Sequence, residues 1–97
     1  MVDFGSRLKE LRLKSGLTQK QLSQQLGVTK SVVSYYELQS RTPSPDVLVK
    51  LARIFKVSTD YLLGLDDRIM LDVTGLNDSD IGVIQQMIDA LKDKGQK

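Results

Sequence analysis

The sequence predicts an all-α protein of five short helices followed by a sixth, amphipathic one. Three observations predict it. Capping residues recur ahead of apolar runs, at Thr18, Thr29, Ser44 and Ser58. Apolar residues within those runs recur at the spacing of one helical face. Gly16, Gly27 and Gly64 stand where helices should stop, and Pro45 stands where one should start.

Helix 1 is expected from Asp3 to Lys14, with Phe4, Leu8 and Leu11 facing inward. Gly16 ends it and Leu17 seals the turn. Thr18 caps helix 2, and Gln21, three residues on, can reach back to the cap amide as a capping box. Leu22 and Leu26 share its inner face, and Gly27 stops it. Thr29 caps helix 3, whose apolar face is Val33 and Tyr36. Consecutive residues point about 100° apart on a helix, so Tyr35 faces away from Tyr36. Two short helices joined by a tight glycine turn make a helix-turn-helix, whose second helix can lie in the major groove of DNA.

Ser44-Pro45-Asp46 opens helix 4 with a cap, a first-turn proline and an acid near the positive end of the dipole. It should bury Leu48, Leu51, Ala52 and Phe55. Ser58 caps helix 5 through Tyr61, Leu62 and Leu63. Residues 65–76 read as a connector in which Ile69, Leu71 and Val73 alternate with Met70 and Asp72, the spacing of a short strand that could pair across a dimer. The last helix starts at Asn77-Asp78-Ser79-Asp80. Ile81, Ile84, Ile88 and Leu91 form a heptad-type seam with Met87 beside it. The Lys92–Lys97 ending reads as a natural terminus.

The 97 residues suit one domain with an appendage. With no cysteine and no histidine, thiolate chemistry, the commonest general base and most transition-metal sites are excluded. No cofactor is expected, and no enzyme: only scattered hydroxyls and carboxylates remain. No apolar run approaches a membrane span and no signal peptide is evident, which points to the cytoplasm. Net charge is only +2, but residues 1–65 hold ten Lys or Arg against five Asp or Glu, and residues 66–97 hold four against seven. Positive charge therefore accompanies the helix-turn-helix, as phosphate binding requires. Lys9, Lys14, Lys50, Arg53 and Lys56 read as solvated charges. Asp66, Asp67, Asp78 and Asp80 read as caps and solvated acids, not as a metal site.

Gln19, Ser23, Gly27-Val28-Thr29 and Val33-Ser34-Tyr35-Tyr36-Glu37 together resemble the phage repressor and Cro family of bacterial regulators. The resemblance covers residues 1–64 and continues through Arg41-Thr42-Pro43, Leu51-Ala52, Val57-Ser58 and Leu62-Leu63-Gly64. It implies a five-helix lambda-repressor-like DNA-binding domain. It also implies an ion pair between Arg12 and Glu37 that orients the recognition helix. Thr29, Lys30, Ser31, Ser34 and Tyr35 would then reach base edges, with Lys30 able to donate to guanine O6 and N7. Thr18, Gln19, Ser40, Arg41 and Thr42 would meet phosphates, the first two at a helix N-terminus whose free amides attract anions. Two positions depart from the family pattern. Ser23 stands where alanine is usual, with a hydroxyl that can bond a carbonyl one turn back. Gln39 stands where glycine usually ends helix 3.

The implied function is a sequence-specific regulator, a repressor that binds a near-palindromic operator as a homodimer. Ile81, Ile84, Met87, Ile88 and Leu91 would make the dimer. An antitoxin, a restriction–modification controller, a fragment of a longer self-cleaving repressor and, from another class, a protein-interaction module without DNA binding stay open.

Overall fold

The computed structural model describes residues 2–95; Met1, Gln96 and Lys97, at the outer ends of the first and last expected segments, lie outside it. The element order is α1 (Phe4–Lys14), α2 (Gln19–Leu26), α3 (Lys30–Glu37), α4 (Pro45–Phe55), α5 (Thr59–Leu62) and α6 (Asp78–Gly95). All-α architecture is therefore what the caps and periodicities predicted.

Each helix begins where a side chain takes a free backbone amide. Asp3 accepts from the Ser6 N–H, Ser44 from Val47, Ser58 from Tyr61 and Asn77 from Asp80. The ends are as local. Gly16 and Gly27 take left-handed φ of 71° and 73°, so that Leu17 and Val28 can bond back to the Arg12 and Ser23 carbonyls. Lys56 adopts a left-handed φ of 55° without being glycine, a departure that local spacing did not foretell.

Leu8, Leu22, Val33, Leu51 and Leu62 are shut off from solvent and form the core with Leu26 and Tyr36. Each such side chain contributes about 1.5–3 kcal/mol by leaving water. Phe4, Leu11, Leu48 and Phe55 pack at the edge of this core and stay half-buried. Of the residues expected inside α4, only Leu51 is completely enclosed. The principal packed pairs are α1 with α3 and α5, α2 with α3 and α4, and α4 with α5. Helix α6 belongs to none of them.

The strand that the alternation left open does not form within the single chain. Residues 66–73 are irregular, and Ile69, Met70 and Leu71 stay exposed. Alternation alone makes no strand: a strand needs a neighbour for its backbone groups, and no second strand exists among the described residues.

Candidate nucleic-acid interface

The interface is built on the turn between α2 and α3. Thr18 Oγ1 accepts from the Gln21 N–H at 3.0 Å, while Gln21 Oε1 accepts from the Thr18 N–H at 2.9 Å, completing the capping box. Ser23 is buried, and its hydroxyl donates to the Lys20 carbonyl at 2.6 Å. That bond satisfies a polar group which the α2–α3 contact would otherwise strand. Thr29 then caps α3 through the Val32 N–H.

Helix α3 divides its residues cleanly. Val33 and Tyr36 enter the core, and Val32 packs half-buried against it. Thr29, Lys30, Ser31 and Tyr35 are exposed, with Ser34 half-buried between them. Tyr35 is 47% exposed and Tyr36 5%, the separation that the helical angle required. The candidate base-reading residues thus share one accessible side of one helix.

The candidate phosphate residues lie in two groups. Thr18 and Gln19 border an open depression of about 690 Å³, which also includes Gly16, Leu17, Lys20 and Lys30. The structure therefore brings the N-terminus of α2 beside the first residue of α3. Gln19 is half-buried and is also engaged inside the protein, donating from its amide to Glu37 Oε1 at 3.2 Å. Ser40, Arg41 and Thr42 form an exposed loop after α3, steadied by the Ser40 hydroxyl on the Tyr35 carbonyl and by the buried ring of Pro43. Among the described residues no ion pair occupies Arg41.

Beneath this surface Arg12 grips Glu37 with two bonds, Nε to Oε2 at 2.6 Å and Nη2 to Oε1 at 3.1 Å. Arg12 Nη1 donates in addition to the Leu17 carbonyl at 2.9 Å. The two side chains are 9% and 4% exposed. One guanidinium thus ties the end of α1, the turn before α2 and the end of α3 together, and Gln19 adds the start of α2. The fork geometry of arginine makes this a fixed orientation, not only an attraction.

Two supporting residues, Gly5 and Arg7, have no signal in the sequence, and a third, Gln39, shows there only as a departure from glycine. A Cβ on Gly5 would lie 2.3 Å from the Glu37 carbonyl oxygen, so only glycine allows α1 this close to the end of α3. Gln39 takes the left-handed φ of 63° itself and accepts the Gly5 N–H at 2.9 Å. Arg7 is buried against Tyr61 and pairs with Asp67, which sequence reading treated as a solvated acid. Each depends on a neighbour distant in sequence, for which local spacing carries no signal.

The helix-turn-helix family matches residues 8–62. The HTH-type transcriptional regulator ImmR of Bacillus subtilis (strain 168) is 40% identical over 95 residues, which span 96% of this chain and 71% of ImmR. The uncharacterized HTH-type transcriptional regulator YobD of the same organism is 48% identical over 64 residues, or 66% of this chain and 57% of YobD. Among solved structures, the P22 c2 repressor in complex with synthetic operator 9T superposes with a TM-score of 0.64 at 29% identity. That match covers 68% of this chain and all of the repressor chain.

Proposed function

We propose, for a chain that belongs to the helix-turn-helix family of transcriptional regulators, repression from a near-palindromic operator bound by a homodimer. In this reading residues 1–64 bind DNA, residues 65–76 connect, and residues 77–97 pair with a second copy, in the cytoplasm where the nucleoid lies. Helix α3 enters the major groove. Lys30, Tyr35, Thr29, Ser31 and Ser34 meet base edges, while Thr18, Gln19, Ser40, Arg41 and Thr42 hold phosphates.

The observation that carries this reading is the division of α3. One side is locked into the core and onto Arg12, and the other presents only hydroxyls, a lysine and a phenol to solvent. No acid stands on that exposed side to repel phosphate. The similarity to an operator-bound repressor supports the same orientation. One module reads only a few base pairs, so two recognition helices set about 34 Å apart are needed for useful specificity. The apolar stripe on α6, with Met87 and Leu91 exposed and Ile81, Ile84 and Ile88 half-buried, is the surface available for that pairing.

Selection of bound sequences from a random DNA pool tests the reading, followed by affinity measurements across salt concentrations. The expected result is a near-palindrome whose log affinity falls against log salt with a slope steeper than roughly −4, at about −0.9 per neutralised phosphate. An affinity indifferent to salt, or no enriched sequence, would sink it and favour a protein-interaction module.

A further inference from the structure

Everything beyond Leu65 is tied to the five-helix domain by one polar contact among the described residues, Arg7 Nη2 to Asp67 Oδ1 at 2.9 Å. The two partners differ sharply. The Arg7 side chain is 6% exposed and the Asp67 side chain 85%. Arg7 lies with its guanidinium carbon 3.9 Å from the centre of the Tyr61 ring, and its buried Nε has no hydrogen-bond partner. Stacking and burial hold this guanidinium in place before the carboxylate arrives. Asp67 therefore lands on a fixed point.

A carboxylate so exposed adds little stability, because water screens it and ordering it costs entropy. Its value lies in direction. Gly64, at a φ of 78°, and the Leu65 N–H on the Asp60 carbonyl set the exit from α5. Asp66 grips Arg68 through the Arg68 backbone N–H, Nε and Nη2, which stiffens the residues on either side of Asp67. Farther on, hydrogen bonds are local: Thr74 N–H to Asp72 and Leu76 N–H to the Val73 carbonyl. Asp67 is thus the last polar tie between the path toward α6 and the five-helix domain among the described residues; beyond it Ile69, Met70 and Leu71 only border an open depression beside Leu11, Phe55 and Tyr61.

We propose that Arg7 and Asp67 are positioning residues that set the spacing between half-sites, an inference that rests on the homodimer reading above. If two copies join through α6, the separation of their α3 helices follows from the direction in which each connector leaves its domain. A small change of angle at Asp67 alters how the connector enters its path beside Leu11, Phe55 and Tyr61.

The test uses the full chain, Asp67→Ala and Asp67→Glu. Duplexes carry two copies of the selected half-site at centre separations varied one base pair at a time, and a control carries a single half-site. Wild type should show one preferred separation. Asp67→Ala should lose that preference, with affinity for the preferred duplex falling at least about tenfold while single-site affinity changes less than about twofold. Asp67→Glu, which keeps the carboxylate, should retain a single optimum. An Asp67→Ala chain with an unaltered optimum would overturn the spacing role and leave the dimer reading standing. A wild-type chain that sediments as a monomer and ignores separation would overturn both. If Asp67→Ala also lost single-site binding, the pair would be a requirement of the fold and the proposal would fail.

Discussion

Gln39, the residue that turns the chain out of α3, closes the N-terminus of α1 by accepting the Gly5 N–H at 2.9 Å. Its left-handed backbone costs roughly 1–2 kcal/mol in a non-glycine residue, and a hydrogen bond returns about 0.5–1.5 kcal/mol. These nearly balance, which explains how glutamine occupies a position that favours glycine. Gln39→Ala keeps the strain and loses the bond, so it should destabilise the fold by about 1 kcal/mol. Gln39→Gly loses both and should lie within about 1 kcal/mol of wild type. Thermal melts decide: an unchanged midpoint for Gln39→Ala would mean that the bond contributes nothing.

The Arg12–Glu37 pair calls for a double-mutant cycle. Removing either partner strands the other away from water and should cost about 3–5 kcal/mol. Arg12→Met combined with Glu37→Leu should be much milder than the sum of the single changes. Additive losses would show that the two side chains do not act as a unit.

Readers and anchors should separate on DNA. Lys30→Ala and Tyr35→Ala are each expected to cost about 1–3 kcal/mol on the preferred site and to relax discrimination at one or two base pairs. Arg41→Ala should weaken preferred and random DNA alike and make the salt dependence shallower. Unchanged base preferences in Lys30→Ala would place α3 in a different orientation.

Changing Ile84 and Ile88 together to Asp should give a folded monomer, because α6 shares no principal packing with the other helices. Ile84 and Ile88 are half-buried, and Val83, Met87 and Leu91 are exposed along the helix, an apolar surface of the kind soluble monomers avoid. Loss of the linkage should lower operator affinity by about a hundredfold or more through the lost effective concentration. Sedimentation and circular dichroism test it together. An unfolded variant would mean that the stripe belongs to its own domain's core.

Elements governed by neighbours within a turn could be read from the sequence. The capping box at Thr18 and Gln21, the stop at Gly27, the Ser23 hydroxyl on a nearby carbonyl and the opposite fates of Tyr35 and Tyr36 all follow from spacing. Residues governed by distant neighbours could not. Gly5 has an ordinary helical setting until the end of α3 lies against it, and Asp67 is one acid among several until Arg7 is found beneath it. The alternation at residues 69–73 left a strand open for the same reason, since a strand is a property of two segments. Arg12 with Glu37 became legible only through family resemblance.

The two sides of α3 have little in common beyond their backbone. Thr29, Lys30, Ser31 and Tyr35 add no side chain to the core, and Val33 and Tyr36 add none to the surface. Under the proposed function, address and scaffold are therefore encoded at different letters of the same word. Exposed substitutions away from special features usually change stability by less than about 0.5 kcal/mol, so Lys30, Ser31 and Tyr35 can change without endangering folding, whereas Thr29 also caps α3. Val32 and Ser34, half-buried between the two sides, are the letters both share.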